Sequence, residues 1–367
     1  MLNNPLDTQA LEAAKAQCTA AFQLRLEDFR LQVNSNSPAL IDALRHYYRS
    51  YPQPSETHTR PQVQIWMLDQ PAIKPDLDWR DWPRETGKSG LKEAVVDLPH
   101  GQRLIRKVKT GMLMLQRQQD PVLIGPAQEH LAQAVNFINN QHINHLQQQG
   151  GLICHAAALS VGGRGVAVAA SSGGGKSTLM LRLMELPEAR FITNDRLFVS
   201  PTATGLTGTG VAKLPRVNPG TLLHNPRLRP ILSPARQAEF GALTPEALWE
   251  LEFKSDVPVE DYYGPGSLVL SAPLHDLILL NWSPASDEPC QIQPVNLEAR
   301  SDLLPGIMKS PGAFYQNAAG EFLSAPTLPP EADYRERLSR LNVYEASGRA
   351  DFDHLVHWYA REGLTHG

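Results

Sequence analysis

The residues whose types and spacing most clearly predict chemistry lie in one glycine-rich segment. It reads Ala170-Ser171-Ser172-Gly173-Gly174-Gly175-Lys176-Ser177-Thr178. Consecutive glycines let backbone N–H groups point into one concavity, because glycine accepts positive φ without a Cβ clash. A helix that begins directly after the loop adds its N-terminal dipole and free amides. The segment therefore predicts a nucleotide-binding loop in which Ser172, Gly173, Gly174, Gly175, Lys176, Ser177 and Thr178 contact phosphate.

Two side chains of this segment carry chemistry of their own. Lys176 is long enough to reach β- and γ-phosphates, and the Ser177 hydroxyl can ligate Mg²⁺. We therefore predict ATP and Mg²⁺ as ligands and Lys176 as a catalytic residue. Ala170 stands where the pattern G-x-x-x-x-G-K-[ST] has its first glycine. Because Ala170 ends a strand, where negative φ is usual, alanine should be tolerated there. The alternative to a nucleotide-binding loop is a glycine-rich loop before a helix with a purely structural role.

The chain order after the loop predicts where an acidic partner lies. Asp195 follows Lys176 by 19 positions, which leaves room for a helix to cross a sheet and for a strand to return. Its carboxylate would then lie at the carboxyl end of that strand, where α/β proteins bind ligands. Asp195 is thus predicted to be a catalytic residue and, with Ser177, a metal ligand. A turn or cap aspartate is the alternative.

A histidine precedes the loop. His155 lies within the predicted strand Leu152 to Val161, which the tight turn at 162–164 separates from the strand that enters the loop. Histidine can exchange protons near neutral pH, so His155 is the third catalytic candidate. A core histidine among alanines and leucines is the alternative.

Other polar residues carry weaker signals. Lys213 and Arg216 follow Asp195 and are candidates for contacting the γ-phosphate or the acceptor. Asp256 lies in a stretch bounded by proline and glycine that predicts a surface loop. His142 and His145 sit three positions apart on a predicted helix, but no carboxylate or cysteine accompanies them, so a metal site is not expected there.

Bulk composition excludes several classes of protein. A net charge of -4 over 367 residues is not the overall basic charge typical of a nucleic-acid-binding protein. Cys18, Cys154 and Cys290 are far apart and odd in number, which argues against a disulfide framework. No run approaches the ~18 apolar residues of a membrane span, and the polar first residues do not predict a secretory signal. We therefore expect a cytoplasmic protein with neither nucleic acid nor membrane as its partner.

The order of predicted elements indicates an α/β fold with a P-loop core. A strand, the glycine loop, a helix and a further strand follow one another after residue 150. The predicted domains are an N-terminal α+β domain at 1–125, a connecting helix at 126–149, the P-loop core at 150–300 and a mostly helical C-terminal segment at 301–367. Within the first of these, apolar residues every three or four positions predict a helix over residues 8–26.

Two sequence segments, CHAAALSVGGRGVAVAASSGGGKSTLMLRLME and FITNDRLFV, resemble the catalytic core of the HPr kinase/phosphorylase superfamily. More narrowly, they resemble the HPr-kinase-related proteins of the kinase B type, whose P-loop fold is similar to that of ATP-dependent PEP carboxykinase. His155 matches the family histidine, Ala170–Ser177 the loop, and Asn194-Asp195 the acidic pair. The resemblance covers roughly residues 150–200.

This resemblance implies an ATP-dependent kinase that transfers the γ-phosphoryl group to a hydroxyl, serine in particular, of a protein, peptide or small molecule. Relatives form oligomers, so a homo-oligomer is compatible with the resemblance. Asn194 departs from the family by replacing the first aspartate of the pair, and asparagine cannot act as a general base. The downstream glycine-rich signature of true HPr kinases is not recognisable, which argues against HPr as the substrate and against the phosphorylase reaction.

Two other functions remain open from the sequence. The first is an ATP-binding regulatory module with weak or lost catalysis, which Asn194 favours. The second is a small-molecule phosphotransferase with PEP-carboxykinase-like chemistry, which ranks last because no second metal site for a carboxylic acid is recognisable. The sequence does not name the acceptor.

Overall fold

The computed structural model describes residues 2–52, 60–84, 90–171, 173–244, 247–248, 251, 253–283 and 285–365. It is a mixed α/β structure with two large sheets. The chain divides into two compact units. The first comprises Met1–Gly150 and Ser310–Leu328, and the second comprises Gly151–Lys309 and Pro329–Gly367.

The first unit contains an eight-stranded sheet in the order β1-β2-β3-β8-β7-β6-β5-β4. Its strands are β1 (Ala20–Leu26), β2 (Phe29–Ser35), β3 (Val63–Asp69), β4 (Arg80–Trp82), β5 (Glu93–Leu98), β6 (Gln102–Lys107), β7 (Leu113–Gln116) and β8 (Val122–Gly125). Its helices are α1 (Thr8–Lys15), α2 (Pro38–Tyr47) and α3 (Leu131–Gln148).

The helix predicted over residues 8–26 is wrong in its second half. Helix α1 ends at Lys15, and β1 pairs antiparallel with β2 from Ala20 onward. Phe22, Leu24 and Leu26 are all buried. Apolar residues four positions apart satisfy a two-residue period as well as a helical one, so spacing alone did not separate the two structures.

A segment distant in sequence completes the first unit. Residues 310–328, which the sequence analysis placed in the C-terminal segment 301–367, lie with this unit. The guanidinium of Arg103, almost fully buried, donates to the carbonyl oxygens of Ala313 (3.3 Å) and Leu323 (2.8 Å). Buried charged hydrogen bonds of this kind hold the segment against β6.

The second unit is built on a nine-stranded sheet. The main path runs β12-β10-β11-β17-β14-β13-β9, with β19 pairing both β17 and β18. Its strands are β9 (Leu152–Cys154), β10 (Ala156–Val161), β11 (Arg164–Ala170), β12 (Ala189–Thr193), β13 (Leu197–Thr202), β14 (Gly205–Thr209), β17 (Ser271–Leu280), β18 (Gln291–Pro294) and β19 (Asn342–Ser347). Two short strands, β15 (Arg216–Val217) and β16 (Ser255–Asp256), form a separate ribbon.

Helices cover both faces of this sheet. They are α4 (Lys176–Leu183), α5 (Pro219–Leu223), α6 (Pro234–Gly241), α7 (Val259–Tyr263), α8 (Glu331–Leu338) and α9 (Phe352–Trp358), with 3₁₀ turns at Arg229–Ile231 and Ser301–Gly306 and a π turn at Tyr359–Gly363. Val166 and Val168 of β11 pack in the same cluster as Leu179 of α4. Ala167 packs on the opposite face, with Leu338 of α8. Burial on both faces explains the nearly continuous apolar sequence of β11.

The mostly helical segment predicted for residues 301–367 also contains a strand. β19 lies between α8 and α9 and pairs in parallel with β17, joining Ile278 to Tyr344. Tyr344 and Ala346 face one apolar cluster, and Val343 faces the other. Within the part of the chain that the structure describes, no helix is both long enough and apolar enough to span a membrane.

A fully buried carboxylate joins three strands and the C-terminal turn. Asp276 of β17 accepts two hydrogen bonds from Arg164, at 2.7 and 2.8 Å. It also accepts one from Asn342 (3.0 Å) and one from the hydroxyl of Tyr359 (3.0 Å). These bonds offset the cost of removing the charge from water. Burial, followed by the charge of Asp276, raises the pKa of Tyr359, so the hydroxyl remains a donor.

We predict that Arg164→Met lowers the free energy of unfolding of the second unit by about 3 kcal/mol, because it leaves Asp276 buried without its main counter-charge. Urea unfolding measures the change. The control is Glu239→Gln, which removes an exposed partner of Arg236 and should change the free energy by less than about 0.5 kcal/mol. Equal effects of the two variants would contradict the role given to Asp276.

Candidate functional site

The glycine loop joins β11 to α4. Gly173 and Gly175 have φ of 84° and 92°, values that favour glycine. The ammonium of Lys176 is buried beneath the loop and donates to the carbonyl oxygens of Ala170 (2.8 Å) and Ser171 (3.4 Å). Ser172, predicted as a nucleotide contact, lies outside the described residues. The loop thus carries a cation at its centre and the amino end of an eight-residue helix at its edge.

Ala170 and Gly174 are sterically complementary. A Cβ on Gly174 would lie 2.7 Å from the Cβ of Ala170 and 3.1 Å from the carbonyl oxygen of Ser171. Ala170 does not have positive φ, in agreement with the expectation that alanine is tolerated at the end of β11. The methyl group of Ala170 is therefore accommodated because Gly174 has no side chain.

His155 stands beside the start of the loop. Ala156 of β10 pairs with Ala169 of β11, and His155 is the residue immediately before this pair. The strand is interrupted at His155. On one side of it β9 pairs with β13, and on the other β10 pairs with β11 and β12. The backbone N–H of His155 donates to the carbonyl oxygen of Ile307 at 2.7 Å. The predicted continuous strand Leu152 to Val161 is therefore two strands with a histidine at the break.

Asp195 lies in the turn between β12 and β13, the strands that pair with β10 and β9 respectively. Its Oδ1 is 3.2 Å from Nε2 of His155. The hydroxyl of Thr193 donates to the carbonyl oxygen of Arg196 (2.9 Å) and closes the turn that presents Asp195. Two residues predicted separately from sequence are thus an ion pair or hydrogen-bonded pair, depending on the protonation of the imidazole.

Positive groups surround the Asp195 carboxylate. Partial burial would raise its pKa, but the hydrogen bond from His155 and the charges of Lys309, His155 and Arg196 outweigh that effect and hold the pKa well below its ordinary value. Asp195 is therefore ionised at neutral pH. A carboxylate with so low a pKa is a good ligand for a hard cation and a weak base.

Lys213 contributes a second perturbed group. Burial, reinforced by the charges of Arg196 and Arg216, lowers the pKa of Lys213 to about 8, against the opposing charges of Asp195 and Asp256. Arg216 lies 3.4 Å from Asp256, its partner across the β15–β16 ribbon. Asp256, expected from sequence in a surface loop, is instead part of this ribbon, with a pKa that burial raises.

Asn194 occupies the position before Asp195. Its Nδ2 donates weakly to the carbonyl oxygen of Arg216 (3.4 Å). Its Oδ1 is buried, and no described residue donates a hydrogen bond to it. An amide cannot take up a proton at neutral pH, so this position supplies a polar contact and not a base.

Several residues near the loop were missed by the sequence analysis. Trp282 donates from Nε1 to the carbonyl oxygen of Gly174 (3.1 Å), and a Cβ on Gly306 would lie 3.5 Å from the carbonyl carbon of Ala170. Trp282 comes two positions after the apolar residues 277–280, just past the carboxyl end of β17, and this placement could have singled it out. Lys309 is 114 positions after Asp195, and no local pattern links the two.

We predict that Gly174→Ala lowers the free energy of unfolding by about 1–3 kcal/mol, because the new methyl group meets Ala170. In the double variant Ala170→Gly/Gly174→Ala, much of that loss should be recovered. Urea unfolding of the double variant and of the two single variants, Ala170→Gly and Gly174→Ala, measures the coupling. Gly220→Ala is the control, since nothing lies within 4 Å of a Cβ there. Strictly additive effects at 170 and 174 would disprove the complementarity.

We further predict that the stability of the protein depends on Lys213 in alkaline solution. Because its folded pKa (about 8) is below the ordinary value of 10.5, the unfolded chain binds more protons between these pH values, and stability should rise with pH across that interval. Lys213→Met should remove this rise and stabilise the protein at pH 7 by on the order of 1 kcal/mol. Urea unfolding of the wild type and of Lys213→Met at pH 7 and 9.5 measures the change in the free energy of unfolding. If that free energy rises as much in the variant as in the wild type, the lowered pKa of Lys213 is refuted.

Comparisons with known proteins add similarity to solved structures. No protein-family model matches the chain, and no curated protein matches it. Among solved structures, the chain is similar to the Hpr(Ser) kinase/phosphatase from Coxiella burnetii, with 13% sequence identity and a TM-score of 0.30. The similarity covers 58% of this chain and 90% of that chain. At this identity and TM-score it carries no conclusion about function.

Proposed function

We propose that this protein is an ATP-dependent kinase that transfers the γ-phosphoryl group to a hydroxyl. The observation that carries the proposal is the register of β10 on β11, which pairs Ala156, the residue after His155, with Ala169, the residue before Ala170. Because His155 contacts Asp195, a carboxylate–imidazole pair lies beside a lysine-centred glycine loop. A phosphate cradle with polar, titratable groups beside it is the arrangement that phosphoryl transfer requires.

The loop supplies the groups for binding a triphosphate. Gly173, Gly174 and Gly175 bend the backbone so that amides can converge on phosphate oxygens, and α4 adds its amino end. Lys176 would exchange its bonds to the loop carbonyls for bonds to phosphate. Thr178, whose hydroxyl lies 3.1 Å from that of Thr221, is a further contact on the first turn of α4.

The residues present fit a magnesium ion. Asp195 is ionised, and the Ser177 hydroxyl lies on the first turn of α4. Among the described residues no three His, Cys, Asp or Glu side chains form a metal-binding group. Mg²⁺ in phosphotransferases is commonly held by one or two carboxylates together with substrate phosphates, so Ser177 and Asp195 would suffice. When bound, the ion neutralises charge on the transferred phosphoryl group.

In the proposed reaction the acceptor oxygen forms a bond to the γ-phosphorus as the bond to the β,γ-bridging oxygen breaks, and ADP leaves. The proton released by the acceptor hydroxyl passes to the His155–Asp195 pair, in which the carboxylate stabilises a protonated imidazole. Asn194 takes no proton. Lys176 stabilises negative charge on the β- and γ-phosphates.

The acceptor and family are part of the proposal. The segments around His155, the loop and Asp195 resemble the HPr-kinase-related kinase B type, and we infer a distant relationship to that superfamily. A serine hydroxyl of a protein, peptide or small molecule is then the acceptor class. We place this activity in the cytoplasm, where ATP is present.

Asn194 favours a second candidate function, an ATP-binding regulatory module. In that case nucleotide binding at the loop would change a protein surface, and transfer would be weak or lost. ATP binding with slow hydrolysis, and no phosphorylated acceptor in any class tested, would favour this module over the kinase.

We predict that the wild-type protein binds ATP with Mg²⁺ and that Lys176→Ala weakens binding by roughly 10- to 100-fold, because a charged hydrogen-bond donor to phosphate is lost. Isothermal titration calorimetry measures both affinities. Wild-type protein that binds no nucleotide would overturn the proposed function.

The matched control is Lys254→Ala, which removes an exposed lysine from the same unit. It should bind ATP as the wild type does. Thermal unfolding of each variant without nucleotide separates a lost phosphate contact from a damaged loop. If Lys254→Ala weakens ATP as much as Lys176→Ala does, the loop is not the binding site.

A further inference from the structure

Two aromatic side chains pack against the backbone of the glycine loop. Trp282, two residues after the end of β17, donates from its indole N–H to the carbonyl oxygen of Gly174 at 3.1 Å. Phe352, the first residue of α9, contacts Gly175 so closely that a Cβ there would lie 2.8 Å from the phenyl Cζ. The two rings meet edge to face, with centroids 4.9 Å apart and planes at 80°.

Neither ring is fully buried. Trp282 and Phe352 are both of intermediate exposure, although they stand at the edge of an apolar cluster that contains fully buried residues of α4 and β11. A partly exposed tryptophan whose indole N–H is already hydrogen-bonded offers apolar ring surface to solvent. A nucleobase can stack on such a surface when it lies beside a phosphate-binding loop.

The topology places this aromatic pair and the His155–Asp195 pair on opposite sides of the loop strand. β11 pairs with β10 on one side, and His155 precedes β10. On its other side β11 pairs in parallel with β17, with Ala170 beside Leu280, and Trp282 follows β17. A nucleotide whose γ-phosphate points toward His155 and Asp195 therefore directs its nucleoside toward Trp282 and Phe352.

We propose that Trp282 and Phe352 form the nucleobase subsite of the loop, where a purine stacks on the aromatic surface. This inference rests on the proposed binding of a nucleoside triphosphate. Stacking on an aromatic side chain is strong for every base because each has a π face, and purines have the larger face. The bond from Trp282 to Gly174 also couples occupancy of the subsite to the shape of the loop.

The experiment compares two probes, ATP and inorganic tripolyphosphate, each with Mg²⁺, by isothermal titration calorimetry. Tripolyphosphate has the phosphates without a base. Wild-type protein should bind ATP at least about tenfold more tightly than tripolyphosphate. Trp282→Leu should weaken ATP about tenfold and tripolyphosphate less than about threefold. Trp282→Phe, which keeps a ring and loses the N–H, should retain most of the preference for ATP.

The control is Trp358→Leu. Trp358 also meets an aromatic ring edge to face, that of Tyr344, and also donates from Nε1, to Glu362. The Trp358→Leu variant should bind ATP and tripolyphosphate as the wild type does. Thermal unfolding shows that the variant is folded. The indole emission of Trp282 provides a second measure: ATP should change it more than tripolyphosphate does, and Trp282→Phe should remove that difference.

The outcomes separate this inference from the function beneath it. If Trp282→Leu weakens ATP and tripolyphosphate equally, Trp282 only positions the loop, and the subsite is overturned while triphosphate binding stands. Equal wild-type affinities for the two probes likewise overturn the subsite alone. If wild-type protein binds neither probe, the proposed function itself fails.

Discussion

The hydrogen bonds that join β11 to β10 on one side and to β17 on the other determine the layout of the candidate site. Pairing with β10 sets Ala156, the residue after His155, opposite Ala169, at the end of the strand that enters the loop. Pairing with β17 brings Trp282 to the same loop from the other side. Because strand register changes in whole residues and a slip reverses the faces, neither arrangement can drift while both faces of the sheet stay buried.

Charge in the site is concentrated and partly withdrawn from water. Asp195 keeps its charge because His155, Lys309 and Arg196 oppose the effect of burial, whereas Lys213 binds its proton weakly because burial and neighbouring cations act together. The same environment thus favours a carboxylate anion and disfavours an ammonium cation. A net positive surrounding of this kind suits a polyanionic ligand.

The glycine loop combines an unusual residue with a compensating one. Ala170 adds a methyl group at the position where the motif has glycine, and Gly174 leaves room for it. Elsewhere Gly175 has no side chain where Phe352 approaches, which lets a C-terminal helix touch the loop. Local sequence and tertiary packing therefore act on the same few backbone positions.

The sequence by itself determined the parts of this protein that depend on local pattern. It placed the glycine loop between a buried strand and a helix, because glycine runs and apolar periodicity act within about ten residues. Only the tertiary structure decided that His155 touches Asp195, that Lys309 lies near Asp195, and that residues 20–26 and 342–347 are strands. These features depend on pairing between distant segments, whose energies no local window of sequence contains.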